Sequence, residues 1–365
     1  MSDPVHAPTL DVTRVGTAAI WSGTSARFTI ETPRLPDLRD GEVLVRTEMA
    51  TICGSDLHTI NGDRSTPLPT VLGHEAIGHV VATGGRVQAA DGHPVTVGDR
   101  ITWTIGTSCG QCSRCRRGIP QKCQTVRKYG HEAIDDHWTF NGGFAGFVHL
   151  SAGTGMVHLP EVLPAAVATP ANCATATVTC AARRTGLTSD DAVVVLGCGM
   201  LGLTAVAYAR DAGCTAVIAS DVDAARRELA RRFGATETVG PEGLATATQA
   251  SGADVLFELS GSSRAVQSAL EVVDLGGRIA LVGSVSPAPE VSFEPSRFVK
   301  NLTTVVGSHN YRVDDLVEAV DFLSRTPAQH ALAELVSAPY DLAEIEQAVA
   351  AANTGTAPRV AVTMN

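Results

Sequence analysis

Four cysteines are crowded into one fifteen-residue segment of this 365-residue chain. Thiolates at such short spacing can surround a zinc ion tetrahedrally. A site made of four thiolates leaves no position for water, so its zinc would be structural. An iron–sulfur cluster is the alternative, although the cysteine-to-proline sequence of bacterial ferredoxins is missing. We therefore predict a structural zinc lobe over residues 106–125, with the ligands Cys109, Cys112, Cys115 and Cys123.

A second group of metal-binding residue types lies earlier in the chain, in two short segments. The first is Cys53-Gly-Ser-Asp-Leu-His58, and the second is Gly73-His74-Glu75. Thiolate and imidazole are the ligand types that zinc prefers. Taken singly, a buried Cys packs as a small hydrophobic residue, and a lone His is usually a hydrogen-bonded core histidine. Their role therefore depends on the rest of the pattern.

A glycine-rich turn follows an apolar run in the second half of the chain. Residues 193–196 are Val-Val-Val-Leu, and Gly197-Cys-Gly199-Met-Leu-Gly202 leads from them into a helical stretch. These glycines permit a tight turn, approach of a pyrophosphate to the backbone, and close helix–strand packing. A carboxylate at Asp221 would bind the adenosine ribose hydroxyls and repel a 2′-phosphate, which favours NAD over NADP. The neighbouring Ser220, Arg226 and Arg227 leave NADP open as the alternative.

The sequence pattern changes near residue 165. Before it, short apolar or alternating runs separated by Gly, Pro and Asp predict a β-rich region. After it, strands alternate with Ala- and Arg-rich helices, which is the pattern of a doubly wound parallel sheet and predicts an α/β protein. The predicted strands are 192–196, 216–219, 254–259 and 278–282, and the predicted helices between them are 201–211, 223–233 and 263–272.

The composition is that of a folded protein with about two domains, because 44% of the residues are hydrophobic. Thirty-eight acidic residues against 28 basic ones give a net charge of −10, and only 4% are aromatic. Both features argue against nucleic acid or an anionic membrane as a partner. Residues 1–14 lack the pattern of a secretory signal, and no apolar run is long enough to span a membrane. We therefore expect a cytoplasmic protein.

The chain resembles the zinc-dependent medium-chain alcohol dehydrogenases from about residue 15 to residue 365. The resemblance depends on the order of the motifs, which is the two short segments, then the four-cysteine lobe, then the glycine turn. More narrowly, residues 116–123 and 128–132 resemble alcohol dehydrogenases associated with phosphonate metabolism, and more distantly polyol and cyclitol dehydrogenases. The resemblance implies a GroES-like β-rich catalytic domain at 1–165 and 312–365, and a Rossmann NAD-binding domain at 166–311. It also implies a homodimer or homotetramer that pairs through the dinucleotide domain.

The family also implies which residues bind the catalytic zinc. Cys53 and His74 match its first two ligands. Cys173, in the segment Cys-Ala-Thr-Ala-Thr, matches the third better than Cys180 does. Three protein ligands leave one open position, at which the metal can lower the pKa of an alcohol. Glu75 is expected to orient the site or to bind zinc transiently.

Proton transfer and cofactor binding follow from the same resemblance. Ser55 matches the hydroxyl that takes the alcohol proton, and His58 matches the imidazole through which the proton leaves, with the ribose hydroxyls of the cofactor between them. Many family members carry a basic residue after the first zinc ligand; because Gly54 cannot hold a pyrophosphate, we expect Arg359 to do more of that work. The expected cofactor-binding residues are Thr177, Gly197, Gly199, Met200, Leu201, Gly202, Asp221, Arg226, Val282, Ser284 and Arg359.

Two cations mark the expected substrate pocket. Arg64 and Lys128 occupy positions at which enzymes for simple alcohols carry apolar residues, while Ile105 and His309 are expected to line the same pocket. An arginine and a lysine favour an anionic or heavily hydroxylated alcohol, unless both side chains point to solvent. We expect a hydroxyalkylphosphonate or a similar anionic alcohol first, a polyol or cyclitol second, and a simple alcohol third. A nucleotide-sensing protein on the same fold is the non-enzyme alternative.

Overall fold

The computed structural model describes residues 16–24 and 27–364. The N-terminal segment in which we looked for a secretory signal lies outside these ranges. Among the described residues, no helix has both the length and the apolar character needed to cross a lipid bilayer. The strands are β1 (Ala18–Trp21), β2 (Thr29–Glu31), β3 (Val43–Ile52), β4 (Thr70–Val71), β5 (Glu75–Thr83), β6 (Arg100–Trp103), β7 (Phe147–Leu150), β8 (Met156–His158), β9 (Val193–Leu196), β10 (Val217–Ser220), β11 (Glu237–Val239), β12 (Val255–Glu258), β13 (Arg278–Leu281), β14 (Thr304–Gly307), β15 (Tyr340–Asp341) and β16 (Val360–Thr363).

Helices follow most of the later strands. The α-helices are α1 (Gly54–Ile60), α2 (Ser113–Arg116), α3 (Ala165–Ala168), α4 (Ala174–Thr185), α5 (Met200–Asp211), α6 (Ala224–Arg232), α7 (Leu244–Ser251), α8 (Ser263–Val272), α9 (Pro295–Asn301), α10 (Val313–Arg325), α11 (Gln329–Ala333) and α12 (Ile345–Asn353). Short 3-10 turns span Pro120–Lys122, Thr169–Asn172, Pro241–Gly243 and Leu342–Glu344.

Six parallel strands from the second half of the chain form one sheet, in the order β11-β10-β9-β12-β13-β14. Its central strands are buried on both faces, which is why they are continuous apolar runs. Val193 and Val195 pack into a core with α4, α5 and α10. Val194 and Leu196 point the other way, into a core with α7 and α8. This two-sided alternation confirms the predicted α/β fold class.

A mixed sheet in the order β15-β16-β3-β5-β6-β8, with β7 also paired to β3, forms the other half. Its register determines where the chemistry lies. In the antiparallel pairing of β3 with β5, Thr51 is opposite Glu75, which brings Cys53 close to His74. In the pairing of β16 with β3, Val360 is opposite Ile52, which brings Arg359 from the end of the chain to the same point.

The strands and helices after residue 312 divide between the two halves. Strands β15 and β16 join the mixed sheet. Helix α10 instead packs into the core that contains α4. The exact domain boundaries at 165/166 and 311/312 remain predictions.

Candidate active site

A buried cluster of metal-binding side chains lies where β3, β5 and α4 meet. One ligand atom from each of Cys53, His74, Glu75 and Cys173 lies within 4.8 Å of the others. The Cys173 Sγ is 3.4 Å from the His74 Nε2. Two thiols and an imidazole form a donor set that suits zinc with an open fourth position. Cys180, by contrast, lies further along α4, with its Sγ 3.6 Å from the Ser308 hydroxyl.

The buried carboxylate of Asp56 orients this cluster, a role that the sequence analysis missed. One carboxylate oxygen accepts the backbone N–H of Cys53 at 2.9 Å. The other is 3.3 Å from both the backbone nitrogen of Gly73 and the His74 Nδ1. A proton held on Nδ1 leaves Nε2 free to bind a metal. The sequence offered one clue to this role, because an aspartate three residues after Cys53 is placed to cap the start of a helix. In the structure Asp56 is the third residue of α1 and caps that helix.

Glu75 is held by a buried ion pair. Its two carboxylate oxygens accept hydrogen bonds from the Arg359 guanidinium at 2.6 and 2.8 Å. The Thr51 hydroxyl donates a further hydrogen bond of 2.6 Å. Arg359 also contacts the Cys53 Sγ at 3.3 Å. The carboxylate of Glu75 therefore lies at the metal cluster, but its oxygens are occupied by Arg359 and Thr51.

The thiols of Cys53 and Cys173 influence each other's protonation. The Cys173 thiol donates to Cys53 and lowers the pKa of Cys53 well below its usual range, although burial opposes the shift and the Arg359 charge assists it. The same hydrogen bond, together with burial, raises the pKa of Cys173. A thiolate at Cys53 is thus favoured before any metal binds, which is the state a zinc ligand needs.

Helix α1 carries the two residues expected to move the proton. The Ser55 hydroxyl lies 3.3 Å from the His74 Nε2, directly beside the metal cluster. His58, one turn further along, is 58% exposed, and its Nδ1 is 3.1 Å from an oxygen of Asp63. The helix therefore leads from the buried cluster to solvent.

The four-cysteine lobe has the geometry of a closed metal site. The Cys112 Sγ is 3.5 Å from the Cys115 Sγ and 3.9 Å from the Cys123 Sγ, and Cys123 is 3.5 Å from Cys109. Sulfur atoms bound to one tetrahedral zinc lie about 3.8 Å apart. Backbone N–H groups of Gln124 and Cys115 lower the pKa of Cys112 to about 6. The donor set thus fits the predicted structural zinc.

The glycine turn has an open side and a packed side. A Cβ added to Gly202 would lie 1.8 Å from the carbonyl oxygen of Gly197, so only glycine allows α5 to approach the turn this closely. A Cβ added to Gly199 would meet no atom within 4 Å. Gly199 instead lines a cleft of about 450 Å³, together with Met200, Arg226 and Arg359. This cleft is open to a nucleotide at the N-terminal end of α5.

Asp221 lies at the end of β10, next to this turn. Its carboxylate accepts hydrogen bonds from the backbone N–H groups of Cys198 at 2.7 Å and Asp223 at 2.9 Å.

The other expected cofactor residues lie in different places. Leu201 is half-buried and packs on the core rather than lining the cleft. A second cleft, of about 540 Å³, contains Val282 and Ser284. Thr177 lies in the first turn of α4 and donates its N–H to the carbonyl of Cys173.

Basic side chains gather beside the second cleft. The Lys122 Nζ lies 2.5 Å from the Nδ1 of His309, and both residues line that cleft. Lys128 and Ile105 line an adjoining cavity of about 310 Å³. Arg64 is exposed and lines neither space, yet its charge contributes to lowering the pKa of Lys128, after burial and Lys122. Partial burial and the charges of Lys122, Lys128 and Arg64 lower the pKa of His309 to about 4.

His131 connects this basic group to the metal cluster, and the sequence analysis assigned it no role. Its ring lies 5.0 Å from that of His74, and its buried Nδ1 has no hydrogen-bond partner. Burial lowers the pKa of His131, and the charges of His74, Arg64 and Lys128 act in the same direction. A neutral imidazole therefore lies between the two groups. The segment Lys128-Tyr-Gly-His-Glu132 was the one sequence feature that could have drawn attention to His131.

The sequence matches two protein-family profiles. Residues 39–161 match the alcohol dehydrogenase GroES-like domain, and residues 201–325 match the zinc-binding dehydrogenase domain. A sorbitol dehydrogenase from Bacillus subtilis is 32% identical over 267 residues, which are 70% of this chain and 71% of the relative. An L-threonine 3-dehydrogenase from Saccharopolyspora erythraea is 34% identical over 298 residues, which are 78% and 81% of the two chains.

Solved structures have the same fold. An alcohol dehydrogenase from Thermotoga maritima superposes with a TM-score of 0.90 at 26% identity, over 96% of this chain and 100% of that one. A protein from Sinorhizobium meliloti described as a zinc-binding dehydrogenase was solved with NADP bound. It superposes with a TM-score of 0.79 at 25% identity, over 96% of this chain and 99% of that one. The chain belongs to the zinc-dependent medium-chain alcohol dehydrogenase family and is an oxidoreductase that uses zinc and a nicotinamide dinucleotide. This confirms the predicted family, whereas the narrower resemblance to phosphonate enzymes remains a prediction.

The zinc lobe can be tested by removing one thiol. We expect Cys112→Ser to reduce the bound zinc by one ion per chain and to lower the melting temperature, because three remaining thiolates no longer close the site. Metal analysis and thermal unfolding measure the two effects. Cys214→Ser is the matched control, since this thiol donates to the carbonyl of Thr188 and a hydroxyl can do the same. Full zinc content in Cys112→Ser would contradict the assignment.

The glycine turn can be tested with one substitution at two positions. Gly202→Ala must displace the carbonyl of Gly197, and we expect a loss of about 2 kcal/mol or more in the free energy of unfolding. Gly199→Ala should leave stability unchanged, because its φ of −77° suits alanine and its Cβ meets nothing. The new methyl group would instead weaken NADH binding, measured by titration. Unchanged NADH affinity in Gly199→Ala would place the nucleotide elsewhere.

Proposed function

We propose that this enzyme oxidises a polar, anionic alcohol, such as a hydroxyalkylphosphonate, to the carbonyl compound with NAD, and that the reaction is reversible. The observation that carries the proposal is the group of basic side chains beside the metal cluster. Among the described residues, no carboxylate lies within ion-pair distance of the side chains of Arg64, Lys122 or Lys128. An anionic substrate would supply the missing negative charge.

The distribution of burial supports a substrate site more than a solvated surface. Lys128 and Lys122 are only partly exposed, and each has its pKa lowered, chiefly by burial. Lys122 contacts His309, which carries no negative charge, and the charge of Glu132 offsets the lowering at Lys128 only in part. Binding an anion would relieve the remaining cost. His131 would contact the substrate between the cations and the reacting carbon. Ile105 would keep one wall apolar.

The donor set of Cys53, His74 and Cys173 would hold the catalytic zinc. When bound, this metal supplies Lewis-acid polarisation of an alcohol oxygen, and NAD accepts the hydride. The chain's own contribution is orientation, since Asp56 fixes the His74 ring. Arg359 holds the carboxylate of Glu75 and supports a thiolate at Cys53. Ser55 would accept the alcohol proton while giving its own to the ribose hydroxyls of the cofactor, and His58 would take the proton from there to solvent.

The nucleotide would lie along the 450 Å³ cleft, with its phosphates at the N-terminal end of α5. Asp221 favours NAD, because its carboxylate would repel a 2′-phosphate. Arg226 is exposed in the same cleft and is the residue through which NADP could be tolerated. Arg359 lines the opposite wall of this cleft, but its guanidinium is paired with Glu75 and Cys53, so any contact with the pyrophosphate would be indirect. Thr177, Val282 and Ser284 would surround the nicotinamide.

A polyol is the second candidate substrate class. It is favoured by the relative named sorbitol dehydrogenase. The relatives named L-threonine 3-dehydrogenase favour a cation that binds a carboxylate, because threonine carries one, although its ammonium group leaves it without net charge. A cytoplasmic location remains a prediction.

We also propose a homodimer that pairs through β14. This strand forms one edge of the parallel sheet, and exposed apolar side chains cluster around it: Val285, Phe293, Val299, Leu302 and Val305. The N–H groups of Thr304 and Ser308 donate to the neighbouring strand, so the alternate N–H groups of Val305 and Gly307 face outward. An apolar edge of this kind is a ready interface for a second copy.

The substrate proposal is tested with a panel of hydroxyalkylphosphonates, phosphorylated and carboxylated alcohols, polyols and simple alcohols. We expect an anionic alcohol to be the best substrate of the wild type. Arg64→Ala and Lys128→Ala should each lower kcat/KM for it roughly tenfold or more, mainly through KM, because each removes a charged hydrogen bond. Arg117→Ala is the control, an exposed arginine of the neighbouring lobe. Unchanged kinetics in both variants, or a preference for neutral polyols, would contradict the proposal.

The dimer proposal is tested with proline at the outward-facing position of the edge. Val305→Pro removes an N–H that does not pair with β13, and we expect it to convert the dimer to a monomer by light scattering. Val305→Thr retains this N–H and should remain dimeric. A Val305→Pro protein that stays dimeric would locate the interface elsewhere.

A further inference from the structure

We propose that Glu42, His137 and His149 form an additional site for a divalent transition-metal ion such as Zn²⁺. None of these residues belongs to the metal cluster of the active site or to the four-cysteine lobe. One ligand atom from each lies within 4.8 Å of the other two. Two imidazoles and one carboxylate are a donor set suited to first-row divalent ions.

The distances fit a shared ion. The His137 Nε2 is 3.2 Å from both carboxylate oxygens of Glu42. The His149 Nε2 is 3.1 Å from one of those oxygens. Nitrogen and oxygen ligands bound to one tetrahedral zinc at 2.0–2.1 Å lie about 3.3 Å apart. The cluster therefore needs little rearrangement to bind an ion.

His149 points to a missing partner. Its side chain is completely buried, and neither ring nitrogen makes a well-directed hydrogen bond. The contact with Glu42 has a hydrogen-bond distance but not the direction of one. A buried nitrogen without a well-directed partner is costly, and an ion bound at Nε2 would remove this cost. Metal binding at Nε2 would also fix the proton on Nδ1.

Rigid elements hold the three side chains in place. Glu42 directly precedes β3, and His149 lies in β7, where it is opposite Leu44 of β3. His137 lies in a loop whose backbone donates to the carboxylate of Asp135 at 2.9 Å. The buried Trp138 ties this loop to β7, since its indole N–H donates to the carbonyl of His149 at 2.8 Å. Such support from outside the ligands is what a metal site requires.

The charge state also suits a cation. Burial raises the pKa of Glu42, but the Arg39 N–H and the two histidines lower it overall, so the carboxylate is ionised. Burial lowers the pKa of His149 against the opposing effect of Glu42, so its imidazole is neutral. His137 is 27% exposed and gives an ion access from solvent. Three protein ligands would leave the remaining positions to water.

The test counts metal ions in the full-length chain, prepared without a histidine tag. The protein is dialysed to equilibrium against buffered micromolar free Zn²⁺, and zinc per chain is measured by mass spectrometry. We expect one ion more in the wild type than in His137→Asn, with the same circular dichroism spectrum. Added Zn²⁺ should raise the melting temperature of the wild type by more than that of His137→Asn.

Two further variants make the result decisive. Glu42→Gln keeps an acceptor for the Arg39 N–H but removes the charged ligand, and it should also lose one ion. His158→Asn is the matched control, because His158 is also a partly exposed histidine in contact with carboxylates. It is 29% exposed, and its Nδ1 and Nε2 each lie 3.2 Å from a carboxylate oxygen, of Asp91 and Asp99 respectively. It should retain the wild-type zinc content. Equal zinc content in the wild type, Glu42→Gln and His137→Asn, or an equal loss in His158→Asn, would overturn the proposal.

Discussion

The buried carboxylate of Asp56 is the contact on which the active site depends. It accepts the backbone N–H groups of Cys53 and Gly73 and contacts the Nδ1 of His74, so one side chain joins two separate strand ends. A completely buried charge is tolerated only when it is well hydrogen-bonded, and here three groups share that task. The same contacts set the direction of the His74 ring. The first two proposed zinc ligands are therefore placed before any metal binds.

The other candidate functional groups lie in three regions that differ in their charged and metal-binding side chains. The four-cysteine lobe is a closed set of four thiols, suited to a structural ion. The cluster of Cys53, His74 and Cys173 keeps an open side, next to the hydroxyl of Ser55. Beyond it, the charges of Lys122 and Arg64 act on Lys128, and among the described residues none of these three side chains forms an ion pair with a carboxylate. Metal chemistry and substrate recognition would thus be carried by neighbouring but separate groups.

The sequence predicts the strong local patterns well and the long-range contacts poorly. Strand β9, the glycine turn and α5 were predictable because an apolar run, three glycines and a helical stretch agree with one another. Helix α4 was not predicted, since it is rich in threonine and buried almost all round, which removes the amphipathic period. The pairing of Glu75 with Arg359 joins positions 284 residues apart, and no local pattern reports it. The orienting role of Asp56 likewise depends on a neighbour that only the fold supplies.

The most direct test of the account is an anomalous diffraction map at the zinc edge, from crystals grown with zinc and NADH. We predict a zinc peak surrounded by the Sγ atoms of Cys53 and Cys173 and the Nε2 of His74. In the same crystals Glu75 should remain paired with Arg359, and the Nδ1 of His74 should remain in contact with the carboxylate of Asp56. The nicotinamide should lie on the open side of that peak. A zinc peak absent from this cluster, or one bound through His74 Nδ1, would contradict the central claim.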